Sequence, residues 1–181
     1  MKNNLSLLIL VTCSILFSYR SVFSQQDTIP VFLPGREGVE QMLQFVLQAD
    51  EEQQRMLTDS LWPKEADYEA VFFPLYRKKI YRFHKRLRRI ADIYIHPLLE
   101  DQTEYLLWSA TTEELMEYTG AARFFPGGYR EFAPYFKPEL TFYRFKFVQP
   151  GMKLGSAYDV LVYVNGKWRL FHRPWAVMID D

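Results

Sequence analysis

The sequence predicts an α+β domain in which N-terminal helices pack on a curved antiparallel sheet. Three observations point there. Tyr76, Ile80, Phe83, Leu87, Ile90 and Tyr94 recur at spacings of 4, 3, 4, 3 and 4, the apolar face of one long amphipathic helix. Asn165-Gly166 separates "DVLVYV" from "KWRLFH", two strand-like runs joined by the pair that favours a two-residue hairpin turn. Helical patterns also come first and strand patterns last, instead of alternating as in a βαβ chain.

The first 24 residues read as a signal peptide. Lys2 supplies a positive start, Leu5 to Phe17 is apolar, and Val22 and Ser24 suit the positions before a cleavage site at Gln25. A membrane-spanning helix needs about 20 apolar residues, and Ser18, Tyr19 and Arg20 interrupt this run. "LVTC" at 10–13 is a poor lipoprotein box, because Thr12 precedes the cysteine and the apolar run continues beyond it. The expectation is therefore an exported protein, periplasmic or secreted, with no stable membrane insertion after cleavage. Removing 24 of 181 residues leaves 157, enough for one domain with a sizeable core. Cys13, the only cysteine, leaves with the signal, so packing alone must hold the mature chain together. An aromatic content of 17% makes that feasible.

Residues 25–35, with two prolines and no periodicity, form a leader; 36–181 form the domain. Val39, Met42, Leu43 and Val46 stripe a first helix from Arg36. Asp50 and Gln53 make a capping box for a second helix, running to about Leu61. "KEADYEAVF" after Pro63 is a short third helix, and Pro74 opens the long one, which Pro97 should close at His96. "TEYLLWSA" (103–110) reads as a strand, and Thr111 with Glu114 caps a short helix through Tyr118. Residues 119–138 are irregular; "LTFYRFKFV" (140–148) is a strand, and the hairpin completes the sheet.

A two-residue turn fixes the hairpin register: Val164 opposite Lys167, Tyr163 opposite Trp168, and so on to Asp159 opposite His172. Alternation then gives one face Leu161, Tyr163, Trp168 and Leu170, ending in the Asp159/His172 pair. The other face takes Val160, Val162, Val164 and Phe171, with Lys167 and Arg169. A carboxylate opposite an imidazole can orient the ring as an acid/base pair. Equally, it can be a cross-strand ion pair at the open end of a hairpin.

"YVNGKWRLFHRPW" resembles the closing hairpin of the SnoaL-like, nuclear-transport-factor-2-like superfamily, with Trp168 and His172 as the matching residues. The resemblance implies a cone-like fold, nuclear-transport-factor-2-like or cystatin-like, in which a curled sheet wraps a long helix around a pocket. The superfamily includes small isomerases, dehydratases and many proteins that only bind. Its isomerases use a paired Asp and Tyr that do not appear here, and the ending Arg173-Pro174-Trp175 departs from its pattern.

Two further features stand out. Arg77, Lys78, Lys79, Arg82, Lys85, Arg86, Arg88 and Arg89 put eight basic residues within 13 positions of the long helix, with His84 among them and expected in solvent. They suit an anionic surface, or else complement residues 36–69, where nine acidic residues meet three basic ones. The segment 119–138 carries Phe124, Phe125, Tyr129, Phe132, Tyr135 and Phe136, which either form a ligand-stacking lid or fold back on the core. No metal-ligand spacing, nucleophile elbow or cofactor motif is present. Without the signal, 20 basic residues balance 22 acidic ones, which argues against nucleic acid.

The sequence thus predicts a non-catalytic binding or structural module for an unknown small molecule or protein; a homodimer is compatible. Tyr163, Trp168, Trp175, Phe124, Phe125 and Tyr129 are its candidate ligand contacts. One alternative is a lyase or isomerase using Asp159 and His172; another is a protein that binds an anionic surface or partner through the basic helix 76–94.

Overall fold

A computed structural model describes residues 28–178. The proposed signal peptide, its cleavage position and Cys13 lie outside the described residues. The fold is α+β: among the described residues six helices pack against a four-stranded antiparallel sheet of order β1-β2-β3-β4.

Helices α1 (Arg36–Gln48), α2 (Glu51–Leu61), α3 (Glu65–Val71) and α4 (Pro74–Ile90) come first. Both expected capping boxes form. Asp50 Oδ1 accepts from the Gln53 N–H at 2.9 Å while Gln53 Oε1 accepts from the Asp50 N–H. Thr111 and Glu114 do the same at the start of α5 (Thr112–Glu117). Strand β1 (Glu104–Thr111) leads into α5, a 3₁₀ turn at Gly120–Phe124, and α6 (Gly128–Phe132). Strands β2 (Thr141–Val148), β3 (Gly155–Val164) and β4 (Lys167–Leu170) close the sheet.

Each face of the sheet is covered. On one, α1 and α2 bury Val39, Met42, Leu43, Val46, Leu57 and Leu61 against Tyr143, Phe145, Phe147, Leu161, Trp168 and Leu170. On the other lie α3, α4 and the segment between β1 and β2, around Phe72, Ile80, Phe132, Phe136, Phe142, Val160, Val162 and Phe171. The hairpin pairs in the expected register from Val164↔Lys167 to Leu161↔Leu170. Asn165 (φ 51°) and Gly166 (φ 72°) both take the left-handed conformation that such a turn needs.

Two sequence expectations fail locally. The long helix stops at Ile90, not His96, although its apolar spacing continues to Tyr94. Tertiary contacts outweigh the helical pattern there. Ile95 is fully buried beside α2 and donates its N–H to Thr58 Oγ1 at 2.8 Å. The Tyr158 hydroxyl lies 3.2 and 2.9 Å from the carbonyls of Tyr94 and His96, and holds the chain extended. His84, expected in solvent, is 1% exposed. Its ring occupies the buried side of α4 one turn after Ile80, between Tyr68 and the end of the hairpin.

Candidate functional site

Asp159 is displaced from its expected face by a β-bulge. Tyr143 pairs with Leu161 but Phe145 pairs with Tyr158, so Arg144 alone faces both Asp159 and Val160. Val160 takes φ 61°, unusual for a β-branched residue. The extra residue sends Asp159 to the same side as Val160, where its Oδ1 lies 2.7 Å from Arg144 Nε. The expected Asp159/His172 pair is therefore absent. Regular pairing of β3 with β4 ends at Leu161↔Leu170, just before the bulge.

Asp159 Oδ1 and Arg144 Nε form a close ion pair, and among the described residues the buried Tyr129 hydroxyl has no partner. Burial pushes the Asp159 carboxyl above its ordinary range, against the attraction of Arg144. Burial likewise raises Tyr129, with a further push from the Asp159 charge. This polar group is half-buried beside a cluster of rings. Tyr129 contacts Trp175 at 4.5 Å and Phe125 at 5.4 Å. Phe125 and Tyr129 are buried, so these candidate ligand contacts fill the core. Phe124 alone stays half exposed, stacked on Trp108 at 5.1 Å.

His172 sits elsewhere. Its ring packs on Trp62 at 5.3 Å, and its buried Nε2 has no partner among the described residues. Its carbonyl lies 2.7 Å from His84 Nε2. A carbonyl can only accept, so His84 carries its proton on Nε2, and the Tyr68 hydroxyl donates to Nδ1 at 2.9 Å. Desolvation lowers both His84 and His172 to about 4, which leaves both rings neutral near pH 7. Tyr163 and Trp168 pack edge-to-face on the α1/α2 side, with Trp168 Nε1 donating to the Leu33 carbonyl at 3.0 Å. The candidate residues thus divide between the two faces of the sheet. They build no acid/base constellation.

The basic helix behaves differently from this half-buried pair. Arg77 pairs with Glu69 at 3.4 Å and Arg88 with Asp59 at 3.0 Å, the complementation the acidic helices suggested. Lys78, Arg82, Lys85, Arg86 and Arg89 have no acidic partner among the described residues, and all five are exposed. Their spacings of 4, 3, 1 and 3 place them on one stripe, opposite buried Ile80 and His84. The stripe is about 16 Å long at the helical rise.

Trp62, at the end of α2, was not singled out by its sequence context. The Arg88 guanidinium lies 5.3 Å over its ring. Three surface hollows of about 600, 210 and 290 Å³ meet there, each lined by both Trp62 and Arg88. Among the described residues no group of His, Cys, Asp and Glu could hold a metal ion, and no helix is long and apolar enough to cross a membrane. Comparison with known protein families, curated proteins and solved structures found no match.

Proposed function

We propose that the chain is an exported, non-catalytic binding module that engages an anionic surface through the outer stripe of α4. One observation carries this reading: five cations on a single exposed helix face have no carboxylate partner among the described residues. Charges aligned in this way focus potential and attract phosphate- or sulfate-bearing partners. The separation of Asp159 from His172, and the low basicity of both buried imidazoles, favour binding over the lyase or isomerase alternative. The hairpin's resemblance to a superfamily rich in proteins that only bind is in keeping with this.

The test is sedimentation with phosphatidylglycerol vesicles and retention on heparin, each across a salt series. Binding should weaken steeply with salt. The triple variant Arg82→Glu, Lys85→Glu, Arg89→Glu should lose about 3 kcal/mol of surface affinity, roughly a hundredfold. Equal binding to phosphatidylcholine, or an unaffected triple variant, would remove the reading.

A further inference from the structure

The groove of about 600 Å³ beside Trp62 has a chemistry of its own, and it does not depend on the outer stripe of α4. One wall is the leader at Ile29–Phe32; the others are the end of α2 and the start of β4. The leader is fastened there. Trp168 Nε1 binds the Leu33 carbonyl, and Phe32 packs edge-on against Phe45 at 6.0 Å. Gly38 of α1 lies directly beneath the same carbonyl, where a Cβ would fall 1.7 Å from the oxygen. The lining is mainly apolar: Ile29, Phe32, Met42, Leu57, Leu61 and Trp62. The volume falls within the range of small-molecule sites, about 300–1,000 Å³.

The charges around this apolar trough are not balanced. Asp59 is the acidic residue in its lining, and Arg88 already holds it. Arg169, also in the lining, is neutralised by buried Asp67 at 2.6 Å. Lys64 and Lys167 remain, both exposed, without a carboxylate partner among the described residues. Two uncompensated ammonium groups at the rim of an apolar trough complement a molecule with an apolar chain and an anionic end.

We propose that this groove binds a single-chain amphipathic anion, an acyl chain ending in a carboxylate or phosphate, with the chain against Leu57, Leu61 and Trp62 and the head between Lys64 and Lys167. Trp62 and Trp168 line the groove and report on its occupancy by fluorescence.

The experiment titrates the full chain with octanoate, decanoate and dodecanoate below their micellar concentrations, and with dodecyl phosphate to separate the two kinds of head. Chain burial predicts affinity rising roughly fourfold per added methylene. Dodecanol and dodecyltrimethylammonium should bind at least tenfold more weakly than dodecanoate. Lys64→Glu with Lys167→Glu should weaken dodecanoate at least tenfold, while Arg82→Glu with Arg86→Glu on α4 should not. Both substituted pairs are exposed, and circular dichroism checks that each variant is folded. Should the Lys64/Lys167 variant fail to fold, the chain-length and head-group series on the unsubstituted protein decides. No saturable fluorescence change with dodecanoate, no dependence on chain length, or equal binding of the cationic amphiphile would each overturn the proposal. Loss of vesicle binding by the α4 variant, with dodecanoate binding intact, would show the two sites to be separate.

Discussion

Two carboxylate–guanidinium pairs sit on the same face of the sheet, one buried and one half-buried, and they are built to different standards. Asp67 of α3 meets Arg169 of β4 at 2.6 Å; it also accepts from the Lys64 N–H and from Asn165 Nδ2, each at 2.8 Å. Arg169 gives a further bond to the Ser60 carbonyl at 2.7 Å. Asp159 and Arg144 are nearly as close, at 2.7 Å, but lie half-buried with no comparable set of further donors, and the nearby Tyr129 hydroxyl has no partner among the described residues. The two carboxyls titrate in opposite directions. Desolvation raises Asp67, but the bonds from Lys64 and Asn165 and the attraction of Arg169 outweigh it and leave the group below its ordinary range. At Asp159 desolvation prevails. Burial of an ion pair is therefore not by itself what stabilises; desolvation weighed against the donors and cations around each carboxylate decides the sign.

The largest test of this contrast removes each acid in turn. Asp67→Ala leaves Arg169 buried and unpaired and should cost about 3–5 kcal/mol in chemical denaturation. Asp159→Ala removes a half-buried charge whose burial outweighs its pairing and should cost about 1–2 kcal/mol. Equal losses would break the comparison.

The pH dependence sharpens it. Asp67 has a lowered folded pKa, so its stabilisation is present above the ordinary carboxylate value and lost as pH falls through the folded pKa. Asp159 has a raised one, so its penalty is absent at acid pH and develops as pH rises from the ordinary value through the folded pKa. Thermal melts across this window should therefore diverge. Relative to the unsubstituted chain, Asp67→Asn should lose ground as pH rises, while Asp159→Asn should gain it. Parallel curves would contradict the assignment of sign.

The smallest effect concerns Tyr129. Its hydroxyl is buried without a partner among the described residues, so Tyr129→Phe should be neutral or stabilising by up to about 1 kcal/mol. The same change at Tyr68, whose hydroxyl donates to His84, should instead destabilise by about 1 kcal/mol. A matching loss at both tyrosines would mean that Tyr129 has a partner after all.

Much of this architecture was legible in local pattern. Capping boxes at Asp50 and Thr111, the Asn165-Gly166 turn and the β4 pairings all depend on residues close in sequence, and all formed as read. Contacts set by tertiary partners were not legible. The bulge at Val160 follows no turn signal, yet one inserted residue moved Asp159 to the other face and dissolved the expected pair with His172. His84 looked solvated because Lys85 and Arg86 follow it, and only the approach of Tyr68 and the His172 carbonyl explains its burial. Arg169 was assigned to the correct face, but its partner lies 102 positions away. The unpartnered stripe on α4 was half legible: the sequence supplied eight cations, and only the fold sorted the engaged from the exposed.

The bonds that fasten the hairpin turn and β4 to the rest of the molecule also set an order of events. Trp168 grips a carbonyl 135 positions upstream, Arg169 a carboxylate 102 upstream, and Asn165 the same carboxylate 98 upstream. As the chain is synthesised, α1 to α3 emerge first, but Asp67 and the Leu33 carbonyl must wait for the last strand before they are satisfied. Such distant closures fold slowly. Until that strand arrives, the nascent chain has helices but no seal. The helices thus gain their polar fastening from a strand about a hundred residues or more downstream, and the core closes only when β4 has joined it.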